Sequence, residues 1–457
     1  NISMQEALEE TEAILSSSFD YRMVSDVPVG VFLSGGYDSA VVTALLQKNR
    51  TEKIKTFTIG FENQKYDEAP YSREVARFLG TDHNEYYCTI KESKDIIPKL
   101  SYYYDEPFSD SSAIPTILVS KMARQQVTVA LSADGGDETF GGYEKYQSTL
   151  RNIGNLKKIP QWVRPSMGAL MGVINPSTVP FLNNKFRHDY IYEGFVALLK
   201  KEEITAPQIM KLSSQKILNR GISKLFRKNP GELLTPFDSE NELNDWNDSL
   251  DKIMAIDYKT YLPGDILTKV DRATMSVSLE GREPLLDHRI IEFVATLPSF
   301  YKINGNTKKF LLKEIVHKYV PQSMMDRPKM GFAVPVIDWL RSDMKYLISE
   351  FLSSEKLSLH DLFDEDYIDE ILKKYFEGGK INRKSKRSSL LFRPIGQNIF
   401  FDVLKVGIEN SMKEEVIQYF SKEEFNLTHP VWKKVFWDSD TETINPEKSR
   451  QRFATML

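Results

Sequence analysis

The chain has 457 residues, long enough for two to three domains, each with a sizeable core. Its 41% hydrophobic and 27% charged residues are those of a globular protein, no apolar run reaches the length of a membrane span, and no secretory leader pattern opens the chain, so no membrane partner and a cytoplasmic location are expected. A net charge of −4 speaks against nucleic acid as a partner, and a single cysteine, Cys88, cannot close an internal disulfide, which fits a reducing compartment.

Residue 1 is Asn, not Met, and a helical pattern follows almost at once, as expected of a piece of a longer chain cut at a domain boundary. Apolar, β-branched segments at 29–33, 56–61, 85–90 and 127–131 read as strands, and helical patterns lie between them at 39–48, 71–79, 93–103 and 115–125. Strands separated by helices predict an α/β fold, a parallel twisted sheet with flanking helices and right-handed crossovers, whose ligands sit at the carboxyl ends of the strands. Cys88 falls in the apolar-polar alternation of the third segment and reads as a buried strand residue. From about 150 onward helical patterns dominate, broken by Ile174-Asn175-Pro176 and Lys228-Asn229-Pro230-Gly231. The expected organisation is a nucleotide-binding core over 1–150, a helical continuation over 151–340 that completes an acceptor site, and a largely helical C-terminal region over 341–457. The basic run 380–387 reads as a solvated loop, and the polar, Trp-punctuated tail from about 428 has no functional reading.

The stretch Ser34-Gly35-Gly36-Tyr37-Asp38-Ser39 ends the first strand and opens a helix. Two glycines let the backbone bend toward a ligand, and the first N–H groups of a helix have no partner within it, so the order strand, glycine turn, helix builds an anion cradle. Ser34 and Ser39 add hydroxyls; the Asp38 carboxylate makes sense beside phosphate once Mg2+ stands between them. A plain strand–turn–helix with a Ser-rich cap is the bland alternative. There is neither a G-x-x-x-x-G-K-[ST] P-loop nor a strand-borne G-x-G-x-x-G fingerprint. The loop resembles the pyrophosphate loop of the ATP pyrophosphatases, whose adenine nucleotide alpha hydrolase-like fold the strand order would suit.

A second cluster, Ser132-Ala133-Asp134-Gly135-Gly136-Asp137-Glu138-Thr139-Phe140-Gly141-Gly142-Tyr143, follows the fourth strand. Acids and glycines so crowded at a strand end suit a metal–nucleotide site, although a flexible acidic turn capping a helix would look similar. The six histidines are scattered without an H-x-x-x-H pair, and no G-x-S-x-G elbow occurs.

These two clusters, together with Asp105–Ser112, the block 261–275, the block 278–288, Lys309-Phe310-Leu311-Leu312-Lys313 and 327–332, resemble in order the synthetase domain of glutamine-dependent asparagine synthetases. The resemblance covers about 20–340. It implies attack of the aspartate side-chain carboxylate on the α-phosphate of ATP, then attack of ammonia on the acyl-adenylate, releasing AMP and pyrophosphate. It implies that Ser34, Gly35, Gly36, Asp38 and Ser39 bind pyrophosphate, that Asp38 and Asp137 reach Mg2+, that Leu33, Ile59 and the Ser132-Ala133 backbone hold adenosine, and that Lys309 contacts the α-phosphate. Where the family usually has Ser-Gly-Glu, this chain has Ser132-Ala133-Asp134, so Asp134 becomes the catalytic carboxylate, one methylene shorter. Glu280 and Arg282 read as acceptor-orienting residues, with an intra-helical or core ion pair as the alternative. No glutaminase domain with its N-terminal catalytic cysteine precedes the first loop, so ammonia would come from solution or from a glutaminase domain or subunit. Three other readings stay open: amidation of another carboxylate such as a sugar acid, peptide or β-amino acid precursor, a tRNA-modifying pyrophosphatase, and a non-catalytic nucleotide-binding subunit.

Overall fold

A computed structural model describes residues 2–62, 67–104, 108, 110–174, 189–214, 223–228, 235–238, 243, 246–326, 336–360, 363–377, 437–438 and 443–444. Asp105, Glu106, Pro107 and Ser109, the block 327–332, the basic run 380–387, most of the tail and most of the breaker segments 174–176 and 228–231 lie outside the described residues.

The chain opens with helix α1 (Met4–Met23), started by a capping box in which Ser3 accepts from the Glu6 N–H and Glu6 accepts from the Ser3 N–H. Then come strand β1 (Val29–Phe32), α2 (Tyr37–Gln47), β2 (Lys55–Phe61), α3 (Ala69–Leu79) and β3 (Asp82–Cys88). Helices α4 (Ile90–Ile96), α5 (Leu100–Tyr104) and α6 (Ala113–Arg124) lead to β4 (Val129–Leu131), followed by α7 (Gly136–Phe140) and α8 (Glu144–Lys157). A fifth strand, β5 (Glu280–Arg282), arrives much later. All five strands are parallel, in the order β3-β2-β1-β4-β5. The chain winds outward from β1 through β2 to β3, then returns to the other side of β1, so the loops leaving β1 and β4 diverge. Such a switch point opens a crevice at the strand ends.

The expected elements are present, with differences that have local causes. The third strand runs earlier than expected and stops at Cys88, because a second capping box, Thr89 with Glu92, starts α4 at Ile90. The helical pattern expected over 93–103 is interrupted by a 3-10 turn at Ile97–Lys99 containing Pro98, which has no N–H to continue an α-helix. Cys88 is a buried strand residue, with Ser93 Oγ 3.3 Å from its sulfur.

Strand alternation splits the core between the two faces of the sheet. Val31, Leu33, Val129 and Leu131 pack with Leu15 and Phe19 of α1, Val41 and Leu45 of α2, and the later residues Ile290, Leu311 and Ile315. Phe57, Ile59, Phe61 and Ala130 face the other way, onto Ile114 and Ile117 of α6 and Leu340, Leu347 and Ile368. Fully burying one such side chain stabilises by about 1.5–3 kcal/mol. A third cluster joins Tyr146 and Ile153 of α8 to Leu199, Met210 and Ile253 of the helices Asp189–Leu199, Ala206–Ser214 and Ser249–Lys259. Among the described residues no helix is long and apolar enough to cross a membrane.

Candidate active site

The loop after β1 is drawn tight by its own serines. The Ser34 N–H donates to Ser39 Oγ at 3.2 Å, the two hydroxyl oxygens lie 3.1 Å apart, and Ser39 Oγ also donates to the Gly36 carbonyl at 3.2 Å. Gly35 turns through the left-handed region at φ 71°, where a side chain would be strained. Gly36 is the N-cap of α2 and brings no side chain to cap it, so the first turn, with Asp38 in it, presents its backbone N–H groups at the crevice.

The loop after β4 enters α7 in the same manner. The Ser132 hydroxyl donates to Asp134 Oδ2 at 2.5 Å, and Asp137 stands in the first turn of the helix. Glu138 beside it is buried; the Tyr143 O–H donates to it at 2.7 Å, and burial together with the Asp137 charge pushes its carboxyl up to about 7.

Lys309 ties the two loops together. A short hairpin, Ile303–Asn304 against Thr307–Lys308, delivers it to the N-cap of helix Phe310–His317 in a left-handed conformation, φ 54°. It is 6% exposed, which removes the plain surface-lysine alternative; its neighbour Lys308 pairs outward with Glu144 at 2.8 Å. The Lys309 Nζ lies 2.5 Å from Asp38 Oδ1, contacts Asp38 Oδ2 as well, and lies 2.6 Å from Asp137 Oδ1. Burial alone would lower the ammonium's pKa, but the Asp137 and Asp38 charges outweigh it and hold the group above its ordinary range. Three residues from distant parts of the chain therefore meet in one triad, a buried ammonium between two half-buried carboxylates. Two glycines make room for it: a Cβ at Gly136 would sit 2.5 Å from Asp38 Oδ1, and one at Gly142 would collide with Asp137 Oδ1 and Lys309 Cε.

Other expected residues fall differently. Leu33 directly follows β1 and Ile59 lies within β2, two residues before its end; their side chains are buried on opposite faces of the sheet. Glu280 and Arg282 are on a strand, not a helix. Their side chains pair with each other at 2.7 Å, and the Arg282 guanidinium also donates to the Arg22 and Val24 carbonyls that end α1, at 2.7 and 2.9 Å. This latch fastens α1 to the sheet and does not join the triad.

Three groups went unread in the sequence. Lys269 Nζ pairs with Asp110 Oδ2 at 3.1 Å and feels the Asp134 charge; burial pushes Asp110 up, but Lys269 and the Ser112 N–H and hydroxyl hold it below the ordinary carboxylate range. Glu283, the first residue past β5, is pushed up to about 7 by burial and by the charges of Asp134 and Asp271. Lys145 sits among the rings of Tyr261, Tyr143 and Tyr146 at 4.4, 4.9 and 5.8 Å and pairs with buried Asp257 at 2.7 Å. That cage pins the end of the second cluster to the segment around Tyr261. Among the described residues no group of three or more His, Cys, Asp or Glu is placed to hold a metal ion.

Two glycine-lined strand-end loops at the switch point of a parallel sheet, closed by one buried lysine, define an α/β fold of the ATP-pyrophosphatase type. The asparagine synthase family model matches residues 10–402, and the chain belongs to that family. It is 29% identical over 390 residues to asparagine synthetase (glutamine-hydrolyzing) 1 of Bacillus subtilis, covering 84% of this chain and 58% of that protein. It is 32% identical over 344 residues to a putative asparagine synthetase (glutamine-hydrolyzing) of Mycobacterium tuberculosis, covering 75% and 50% respectively. A putative asparagine synthetase (glutamine-hydrolyzing) 2 of Methanocaldococcus jannaschii is 41% identical over 243 residues, 50% of this chain and 45% of that protein. The chain spans about half the length of the curated relatives it matches.

Proposed function

We propose that this chain carries the ATP-dependent, amide-forming chemistry of an asparagine synthetase. The aspartate side-chain carboxylate attacks the α-phosphate of ATP, pyrophosphate leaves, and ammonia displaces AMP from the acyl-adenylate to give asparagine. The observation that carries the reading is the triad of buried Lys309 with Asp38 and Asp137, which links the serine-glycine loop to the second cluster.

In this reading the α2 N-terminus, Ser34, Gly35, Gly36 and Ser39 cradle pyrophosphate, and the Ser132-Ala133 main chain with that of Leu33 and Ile59 lines the adenosine side. Phosphoryl transfer of this kind gains most from positioning and charge neutralisation. Lys309 is suited to both, since it can turn from its carboxylates to the α-phosphate when nucleotide enters. Asp38 and Asp137 converge on a single cation position, now filled by the Lys309 ammonium; two carboxylates with phosphate oxygens form the oxygen set that magnesium prefers. Bound there, Mg2+ would neutralise pyrophosphate charge, while the protein's own task remains alignment of the attacking oxygen. The relatives' names carry glutamine hydrolysis, so we infer that ammonia reaches this site from a glutaminase domain or subunit. The use of ATP and the buried free thiol of Cys88 fit a cytoplasmic setting.

One observation favours a second reading within the same chemistry. Asp134 stands where the family usually has glutamate, and its carboxylate is held back on Ser132. A shorter acid suits a different carboxylate acceptor. The test is pyrophosphate release from ATP and magnesium with ammonium present and aspartate added or withheld. Aspartate-dependent release yielding asparagine is expected; nucleotide binding without it would sink the aspartate reading and leave another carboxylate or a non-catalytic subunit.

A further inference from the structure

The second half of the proposed reaction needs a base. Ammonia that attacks a carbonyl becomes a cationic adduct and must shed a proton before AMP departs cleanly. Asp134 is poorly placed for this alone: it is short, and Oδ2 is already engaged by the Ser132 hydroxyl at 2.5 Å. A second carboxylate stands beside it. In the β4–β5 ladder Leu131 is level with Arg282, and the Ser132 N–H donates to the Arg282 carbonyl at 2.8 Å, so Glu283 leaves β5 at the height where the Asp134 loop leaves β4.

Alternation along β5 sends the two acids of this segment to different places. Glu280 goes with Arg282 to the α1 latch, while Glu283 shares the face of Gly281. A Cβ at Gly281 would lie 3.4 Å from Glu283 Oε1 and 3.2 Å from Thr274 Oγ1, so the bare glycine leaves space for this carboxyl between β5 and helix Thr268–Met275. Facing it are Asp134 from the β4 loop, Asp271 from that helix and Arg22 from the end of α1; among the described residues no lysine or arginine forms an ion pair with it.

Resting on the reading above, we propose that Glu283 is the base of the amide-forming step. The nitrogen lone pair forms the C–N bond, the C–O bond to AMP breaks with its electron pair leaving on phosphate, and the proton lost from nitrogen passes to the Glu283 carboxylate and then to water. Burial, with the neighbouring Asp134 and Asp271 carboxylates, holds the Glu283 carboxyl at about 7, where proton transfer is efficient near neutrality. The two acids thus divide the roles that one longer side chain would otherwise fill.

Two measurements test this on the whole chain. In the first, aspartate-dependent ATP–pyrophosphate exchange is compared across pH with asparagine formation from ammonium chloride, its total concentration adjusted so that free ammonia stays constant. Wild-type amide formation should rise through about pH 7. In Glu283→Gln it should fall about 100-fold further than exchange does and lose that rise; hydroxylamine, a nucleophile less dependent on a base, should narrow the gap. Equal loss of both activities, or an unchanged pH profile, would overturn the role. In the second, the carbon-13 signal of the Glu283 carboxyl, assigned by its loss in Glu283→Gln, is titrated without substrate. A midpoint near 7 that drops in Asp134→Asn supports the pair, and an ordinary glutamate midpoint in the wild type overturns it. Absence of aspartate-dependent exchange in the wild type would refute only the aspartate reading, and the titration would then judge Glu283.

Discussion

Replacing Gly142 by alanine strikes the triad without touching any of its charges. Gly142 has no left-handed φ, so alanine costs nothing in backbone conformation. The cost comes from space: the new Cβ would overlap Asp137 Oδ1 and Lys309 Cε and stand 2.9 Å from Asp137 Cγ, where ordinary contact begins at 3.4 Å. Clearing it requires the two side chains to part, taking the Lys309–Asp137 separation from 2.6 Å to about 4 Å. At an effective dielectric near 20 that attraction falls from about 6 to about 4 kcal/mol. With about 1 kcal/mol for overpacking, the loss of stability is about 3 kcal/mol. Displacing Lys309 by the same amount slows the step it serves by roughly 30-fold, if about 2 kcal/mol of its placement is lost in the transition state. Urea unfolding and aspartate-dependent pyrophosphate exchange read the two effects separately. Gly154, inside α8 with nothing within 4 Å of a would-be Cβ, is the control, and alanine there should stabilise by up to about 1 kcal/mol. A Gly142→Ala protein as stable as wild type, or one that moves in the same direction as Gly154→Ala, would refute the close-approach argument.

Further outcomes follow from other contacts. Lys309→Met leaves two carboxylates facing each other, at a cost of about 3–5 kcal/mol, and Asp38→Asn in the same chain should recover part of it; purely additive losses in a double-mutant cycle would contradict the triad. Asp287 caps helix His288–Thr296 and is held down to about 2, chiefly by hydrogen bonds from Arg289. Because its folded pKa is depressed, its contribution is complete above the ordinary aspartate range and vanishes as pH falls from 3.8 toward 2. Asp287→Asn should therefore lower stability by about 2 kcal/mol at pH 7 and by almost nothing near pH 2, as measured by urea midpoints at the two pH values. The Cys88 thiol is 4% exposed and pushed up by burial, so Ellman's reagent should find no reactive sulfur in the native chain and one after denaturation; fast native labelling would contradict the strand placement.

Much of this site was legible because its signals are local. A glycine turn between an apolar run and a helix announces itself, and Asp38, Asp137 and Lys309 each sit in a short block whose residue types suit the chemistry. The structure brings those three together. What stayed hidden depends on partners distant in sequence. Glu280-Gly281-Arg282 has neither apolar alternation nor β-branched residues; it is a strand only because β4 offers it an edge, so pairing overrides propensity. Without that strand there was no way to tell that Glu280 pairs with Arg282 at the end of α1 while Glu283, one residue past the strand, goes to the other face. Lys269 and the Lys145 cage were unreadable for a related reason, since Asp110 beside Lys269, and Tyr261 and Asp257 around Lys145, lie more than a hundred positions away. The early start of α4 was readable: Thr89-Ile90-Lys91-Glu92 is a capping-box spelling that outranked the apolar alternation before it.

The late arrival of β5 has a consequence for synthesis of the chain. Between Leu131 and Glu280 about 150 residues must leave the ribosome, which takes roughly 8–30 s at 5–20 residues per second. During that interval β4 has a partner on one side only, and its outer N–H and C=O groups are open to any strand that meets them. Its length of three residues limits how much a stray strand can gain. The completing segment also brings Pro284, whose carbonyl accepts from Ser18 Oγ of α1 at 2.7 Å, so one late event closes the sheet edge and fastens the first helix. A nascent chain stalled before residue 280 would carry both serine-glycine and acidic loops already made, yet remain an aggregation-prone sheet with an unsealed side.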